Sequence, residues 1–183
     1  DPKESSGRLR FLSEHAGIQL LATDGTAKAE GALCGARQVL ELRPSSASSE
    51  GRFSWQELCK LGASADVPSP PQPAEPATLI FTSGTTGNPR GILYTHEQLR
   101  VACEAIERLW PMRGVRTISW LPLANMFQRI VNLVLLRSRG EVFYLDDIQL
   151  LIESLTTVRP HLFIGVPWFY EKLYLEIRKR IEG

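Results

Sequence analysis

The chain has 183 residues, of which 43% are hydrophobic and 22% are charged, and its formal net charge is +1. This balance is ordinary for a soluble globular protein, and the length allows one domain or slightly more. The near-neutral charge gives no electrostatic case for binding nucleic acid or an anionic membrane. The longest apolar runs, such as residues 130–136, are too short to form a transmembrane segment.

The N-terminus has no initiator methionine and no apolar signal core. We therefore expect a chain that starts inside a longer gene product and is not secreted. Cys34, Cys59 and Cys103 are odd in number and widely spaced, which argues against a disulfide framework and a zinc site. We expect them to be core or half-buried thiols in a reducing cytoplasm.

Residues 1–75 are predicted to be a strand- and loop-rich segment that ends in a Pro-rich stretch. Residues 17–23 and 37–43 have strand-like apolar content. Residues 53–61 suggest a short helix capped by Ser54. Five prolines between positions 68 and 76 require extended backbone. We interpret this stretch as the approach to the next strand.

Residues 78–91 read Thr-Leu-Ile-Phe-Thr-Ser-Gly-Thr-Thr-Gly-Asn-Pro-Arg-Gly. An apolar strand breaks into a loop whose hydroxyl groups and glycine amides can approach an anion closely, and Arg90 adds a permanent positive charge. A surface turn is the simpler alternative, but the unbroken run of small and hydroxyl residues favours a polyphosphate-binding loop. The Walker A and G-x-G-x-x-G patterns are both absent. The residues assigned to phosphate binding are Thr82, Ser83, Gly84, Thr85, Thr86, Gly87, Arg90 and Gly91.

Residues 76–183 are predicted to form the α/β core that carries this loop. Thr95 and Gln98 have capping-box spacing, and an apolar helical face follows at residues 99–110. Further strands are expected at residues 117–122, 141–145 and 161–166. Helices are expected at residues 126–136, after a cap at Asp146 or Asp147, and from Pro167 onwards. This alternation implies a layered, mostly parallel sheet with flanking helices.

Ligands of such sheets gather beyond the carboxyl ends of strands, where residues 82–91 and 122–128 would both emerge. The two segments could therefore share one site. The histidines, at positions 15, 96 and 161, have no spacing that suggests a triad or a metal site. The aromatic cluster at residues 168–170 is expected to pack in the core rather than to line an acyl tunnel. In the final helix we expect an apolar stripe of Phe169, Leu173, Ile177 and Ile181.

Three segments carry a resemblance. Residues 78–91 resemble, almost residue for residue, the phosphate-binding loop of the adenylate-forming (AMP-binding) superfamily, with Arg90 where lysine is usual. Residues 119–129, Ser-Trp-Leu-Pro-Leu-Ala-Asn-Met-Phe-Gln-Arg, and 159–172, Arg-Pro-His-Leu-Phe-Ile-Gly-Val-Pro-Trp-Phe-Tyr-Glu-Lys, resemble segments of its long-chain acyl-CoA synthetase (fatty-acid–CoA ligase) branch. Asn125 stands where that branch usually has histidine, and Gln128 where it has glutamate.

The resemblance implies a partial N-terminal domain of an adenylate-forming enzyme. Such an enzyme uses ATP and Mg²⁺ to convert a fatty acid or other carboxylate into an acyl-adenylate, and coenzyme A then displaces AMP. Asn125 and Phe127 would lie near the acyl group. The family's downstream adenine, ribose and lysine motifs do not occur in these 183 residues. We therefore expect a cytoplasmic fragment of the large domain, with peripheral membrane association left open. Alone it would be inactive and prone to self-association through an exposed sheet edge.

Two alternatives remain at this point. One is a non-catalytic descendant that binds nucleotide or acyl groups, which the residues at positions 90, 125 and 128 favour. The other is an unrelated α/β phosphate-binding domain.

Overall fold

The structure is a computed structural model that describes residues 6–23, 36, 38–42, 52–82 and 89–182. The chain divides into two compact units, residues 1–72 with 79–92 and residues 73–78 with 93–183. In chain order the elements are α1 (Ser6–Ala16), β1 (Leu20–Thr23), β2 (Gln38–Glu41), β3 (Arg52–Ser54), α2 (Trp55–Gly62), β4 (Pro76–Thr82), β5 (Arg90–Thr95), α3 (His96–Leu109), β6 (Arg116–Ser119), α4 (Met126–Arg137), β7 (Glu141–Tyr144), a 3₁₀ turn (Ile148–Leu150), α5 (Leu151–Val158) and α6 (Pro167–Glu182).

The first unit contains a parallel sheet in the order β1-β2-β3. Both predicted strands at its start are present, and Val39 and Leu40 of β2 are buried. Glu41 is also buried, and its carboxylate accepts a hydrogen bond from Arg52 on β3 at 2.7 Å. Pairing of this kind is what makes a buried carboxylate tolerable. The predicted segment of strands and loops also contains helix α1, which the sequence did not indicate because that helix is only weakly amphipathic.

Helix α2 begins as the sequence predicts. The hydroxyl of Ser54 accepts from the amide of Glu57, and the Glu57 carboxylate accepts from the Ser54 amide at 2.8 Å. The carboxylate also accepts from the Ser54 hydroxyl at 2.9 Å. The hydrogen bond from the Ser54 backbone, and after it the one from the Ser54 hydroxyl, hold the pKa of Glu57 below its ordinary value. The prediction for the cysteines is mixed. Cys59 on α2 is exposed, against expectation, Cys103 is buried as expected, and Cys34 lies outside the described residues.

The second unit is built on the parallel pair β6-β7. The side chains of β6 alternate between two layers, as a strand in a layered sheet requires. Ile118 packs with Leu151 and Phe169 from α5 and α6, whereas Ser119 faces the opposite way and bonds to α4. A second core of Cys103, Ile106, Met112, Val131, Val134, Leu135 and Ile164 lies under α3 and α4. The predicted mixed α/β class with parallel strands is confirmed.

Helix caps in this unit follow the sequence closely. Thr95 and Gln98 form the predicted capping box of α3, and α6 begins at Pro167. Asp147 caps the 3₁₀ turn by accepting from the Gln149 amide at 2.9 Å. None of the helices that the structure describes is long and apolar enough to cross a bilayer.

One prediction for this unit is wrong. Residues 161–166 do not form a strand, because Leu162 makes only an isolated bridge to Thr117 before the chain turns into α6. The apolar faces predicted for α3 and α6 lie on helices as expected, but each extends past the core. Leu109 is 70% exposed at the end of α3, and Ile181 is 79% exposed at the end of α6.

Candidate functional site

The base of the predicted phosphate loop is formed by the ends of β4 and β5, which pair in a two-stranded sheet. The Thr82 hydroxyl donates a long hydrogen bond, 3.4 Å, to the carbonyl oxygen of Arg90 across the two strand ends. Arg90 is exposed. The loop therefore starts and finishes on a fixed base that carries one cation.

Gly91 is exposed, but side chains of β4 lie close to it. A Cβ atom there would lie 3.1 Å from Leu79 Cδ1 and 3.2 Å from Phe81 Cε1, closer than ordinary carbon contacts. The absence of a side chain at position 91 thus leaves room for these two side chains beside β5. Ser83, Gly84, Thr85, Thr86 and Gly87, the remaining residues assigned to phosphate binding, lie outside the described residues.

The segment after β6 is held by its own polar groups. Asn125 is the N-cap of α4, and its side-chain oxygen accepts from the Gln128 amide at 3.0 Å. The amide of Asn125 donates to the Pro122 carbonyl at 2.7 Å, which closes a turn. Arg129 donates from Nε to the Leu123 carbonyl at 2.9 Å and from Nη1 to the Thr78 hydroxyl. The path of the Leu-Pro-Leu-Ala-Asn segment is therefore fixed.

The two residues assigned to the acyl group have different surroundings. Phe127 lies in the first turn of α4 and is 50% exposed, so its ring is accessible. Asn125 is half-buried, and its side-chain oxygen is already used by the cap. Phe127 can therefore offer an apolar surface to a ligand without changing its own packing, whereas Asn125 can meet a ligand only with the hydrogen-bonding capacity that the cap leaves over.

A buried polar chain that the sequence analysis did not predict lies behind this turn. Gln128 is fully buried, and its Nε2 donates to Asn132 Oδ1 at 3.0 Å. Asn132 Nδ2 donates in turn to Ser119 Oγ on β6 at 2.8 Å. The Oε1 atom of Gln128 is buried without a hydrogen-bond partner. The signal was present, because Gln128 and Asn132 are four residues apart, and so on one face of a mostly apolar helix.

The histidines have structural surroundings. His161 Nδ1 accepts from the Arg116 amide at 3.1 Å, which joins residue 161 to the start of β6. The ring of His15 stacks on Phe11 with centroids 5.4 Å apart. Within the described ranges, no three His, Cys, Asp or Glu side chains come close enough together to hold a metal ion.

The aromatic cluster at the start of α6 is only partly core. Phe169 is buried against Trp120 and Phe163, with centroids 5.4 and 5.1 Å away. Trp168 is 52% exposed, and its ring lies under the ammonium group of Lys172 at 5.5 Å. A cavity of about 430 Å³ opens beside these residues, lined mostly by apolar side chains of the 3₁₀ turn, α5 and α6. Core packing is thus confirmed for Phe169, while Trp168 faces a groove.

The sequence of the chain matches a known family of enzymes. Residues 1–182 match the model of the AMP-binding enzyme family. Human long-chain-fatty-acid–CoA ligase 1 is 36% identical over 128 residues, which cover 66% of this chain and 18% of that protein. Peroxisomal long chain acyl-CoA synthetase 7 of Arabidopsis thaliana is 35% identical over 134 residues, covering 71% of this chain and 19% of its own length. The match thus spans about a fifth of each relative.

Solved structures agree on the fold. The adenylation domain of a carboxylate reductase from Mycobacterium chelonae superposes with a TM-score of 0.81 at 16% identity. The superposition covers 99% of this chain and 32% of that one. At this identity the likeness shows a shared α/β fold and nothing finer.

Proposed function

The chain belongs to the AMP-binding enzyme family, and we propose that it carries the phosphate-binding part of an ATP-dependent long-chain acyl-CoA synthetase. In the proposed reaction a fatty-acid carboxylate attacks the α-phosphate of ATP and releases pyrophosphate. The thiol of coenzyme A then attacks the acyl carbon and releases AMP. The observation that carries the proposal is the similarity to long-chain-fatty-acid–CoA ligase 1 and its relatives.

The proposed role of residues 82–91 is to hold the phosphates that leave as pyrophosphate. Attack at phosphorus needs the negative charge of the leaving group to be stabilised by donors that are already in position. Thr82 and Gly91 supply a fixed base for such donors, and Arg90 supplies an exposed guanidinium. The side-chain hydroxyls of Ser83, Thr85 and Thr86 and the amides of Gly84 and Gly87 would complete the set. Mg²⁺ would enter with the ATP phosphates.

The proposed acyl surface is the exposed ring of Phe127, at the turn that Asn125 caps. Gln128 is sealed behind this turn, so it would act on the acyl group only by keeping the turn in place.

A non-catalytic descendant that binds nucleotide or acyl groups is the second candidate. One observation favours it: Asn125, where the long-chain branch usually has histidine, carries a neutral amide and serves as the N-cap of α4. An amide has no titratable group, so this position would offer shape and hydrogen bonding but no proton transfer.

The first test is carboxylate-dependent ATP–pyrophosphate exchange with acids from acetate to palmitate. We expect this chain alone to show no exchange above background but to bind ATP, and Arg90→Gln to weaken that binding. Arg178→Gln is the matched control, because Arg178 is an exposed arginine that pairs with Glu182 on α6. Equal ATP affinity of the wild type and the Arg90→Gln variant would contradict the proposed role of the loop.

The second test separates the two candidates. The matching segment of human long-chain-fatty-acid–CoA ligase 1 is replaced by residues 76–182 of this chain, and palmitoyl-CoA formation is measured. Activity near that of the unmodified ligase would support the synthetase. Activity that returns only after Arg90→Lys and Asn125→His would identify the non-catalytic descendant.

A further inference from the structure

A second cationic site lies in the second unit, where the chain leaves α3 and where it leaves α4. The two connections border an open cleft of about 580 Å³, lined by Glu107, Met112, Arg113, Arg137, Ser138 and Arg139 among others. This volume can hold a small polar ligand. The lining residues belong neither to the phosphate loop nor to the Leu-Pro-Leu-Ala-Asn segment.

The charges of the cleft are unbalanced. Its lining carries three exposed arginines and one carboxylate, that of Glu107, whose Oε1 lies 3.3 Å from Arg137 Nε. In the part of the chain that the structure describes, no carboxylate pairs with Arg113 or Arg139. The cleft therefore keeps two uncompensated guanidinium groups.

The backbone holds these arginines on rigid turns. Gly140 is confined, since a Cβ atom there would lie 2.7 Å from the Val115 carbonyl oxygen and 2.6 Å from Leu135 Cδ2. The Gly140 amide donates to the Leu135 carbonyl at 2.7 Å. On the other side of the cleft, Met112 is buried in the core next to Arg113. Both arginines thus project from backbone that is fixed by the core.

Arg139 occupies a conformation that favours glycine. Its φ is 55°, and an L-residue in this region is destabilised by contacts of its own Cβ atom. A left-handed residue directly after a helix is a common way for the helix to end, but glycine usually fills that position. The helix dipole accounts for an arginine in the last turn of α4, and so for Arg137. The helix dipole does not explain Arg113, which lies on the other connection. Nor does it explain why position 139, whose conformation favours glycine, carries a side chain.

We propose that this cleft binds a phosphate-bearing anion through Arg113, Arg137 and Arg139. The planar guanidinium fork matches the oxygens of a phosphate, and it binds them with two parallel hydrogen bonds. Two uncompensated cations suit a phosphate or diphosphate dianion better than a single carboxylate. A free phosphate ester and the headgroup of an anionic phospholipid share this chemistry.

The test uses the 183-residue chain and inorganic pyrophosphate, with binding measured by calorimetry at low and high salt. The proposed phosphate loop would also take pyrophosphate, so the cleft is measured in an Arg90→Gln background, which weakens the loop. There we expect a saturable binding event that becomes about tenfold weaker when Arg113→Gln or Arg139→Gly is added and that weakens with added salt.

Arg139→Gly provides its own folding control, because it removes the strained side chain and should raise the thermal midpoint while binding falls. Arg159→Gly is the matched variant. Arg159 also has a positive φ, 49°, but it lies outside the cleft. The thermal midpoint of Arg159→Gly should therefore rise, while its affinity for pyrophosphate stays unchanged.

The source of the phosphate is decided with vesicles. A flotation assay compares binding of the chain to vesicles of equimolar phosphatidylcholine and phosphatidic acid with binding to vesicles of phosphatidylcholine alone. Flotation that pyrophosphate abolishes would assign the cleft to a lipid headgroup, and binding of pyrophosphate without flotation would assign it to a soluble phosphate. The proposal is overturned if neither probe binds, or if Arg113→Gln and Arg139→Gly bind as the wild type does.

Discussion

The buried position of Gln128 leads to a pH-dependent prediction for Gln128→Glu. The amide is fully buried and donates to Asn132 at 3.0 Å. A protonated glutamic acid can make the same donation, whereas a carboxylate cannot, since it only accepts. Burial and loss of that hydrogen bond both disfavour the charged form, so the pKa of the new carboxyl group should be raised in the folded protein.

The sign and size of the effect follow from linkage. A pKa raised on folding means that the variant is close to the wild type below the pKa of the unfolded chain, about 4.3. The variant loses stability as the pH rises towards the folded pKa. A rise of about two pKa units corresponds to a loss of about 2.7 kcal/mol once the pH exceeds the raised value. This is a large fraction of the stability of a typical domain.

Urea unfolding at pH 5 and pH 8, followed by circular dichroism, measures the effect. The difference in midpoint between wild type and Gln128→Glu should widen clearly at pH 8. Gln149→Glu is the matched control, because Gln149 is exposed, and its difference from the wild type should stay constant. An equal offset for Gln128→Glu at both pH values would refute the reasoning, since the carboxylate would then ionise inside the fold without a penalty.

Three further predictions concern stability and reactivity. Gly140→Ala should lower the free energy of unfolding by about 1–3 kcal/mol, because the new methyl group meets a backbone oxygen that cannot move aside. Urea titration measures this loss, and an unchanged midpoint would contradict the packing at Gly140. Arg159→Gly should raise that free energy by about 0.5–1 kcal/mol, as relief of the left-handed conformation exceeds the entropy cost of glycine, and a lower thermal midpoint would exclude strain at this residue. In a Cys34→Ser background, a thiol reagent at pH 7.5 should modify Cys59 in the folded protein and Cys103 only on unfolding. Cys59 is exposed, whereas Cys103 is buried and burial raises the pKa of its thiol. Similar modification rates for the two cysteines would show that α3 opens readily.

The sequence predicted those features that depend on neighbouring residues. The caps at Ser54, Thr95 and Pro167 were predicted because each needs one or two side chains at a fixed spacing. Features that depend on distant residues were missed. The β-branched content of residues 161–166 indicates a strand, but the chain there accepts only one bridge to β6. The apolar positions at the end of α6 follow a helical repeat whether or not another layer covers them.

At the candidate site, too, the sequence predicted local features better than features that depend on distant residues. The phosphate loop was predicted from its composition, and its role stays a prediction; the structure describes the strand ends on either side of it, at Thr82 of β4 and Arg90 of β5. The N-cap at Asn125 was missed, although the helix was predicted from residue 126, where α4 begins, and asparagine is a preferred N-cap residue. The link from Asn132 to Ser119 could not be predicted, because it joins residues that come together only when α4 packs on β6.

The bridge between β6 and residue 162 also has a consequence for synthesis of the chain. Thr117 donates to the Leu162 carbonyl, and Trp120 donates to the Ile164 carbonyl, over separations of 45 and 44 residues. At ordinary rates of translation this interval lasts about 2–9 seconds. During this time β6 has left the ribosome without the aromatic layer that later covers Trp120. We expect the nascent chain to need protection at this strand until α6 has emerged and docked.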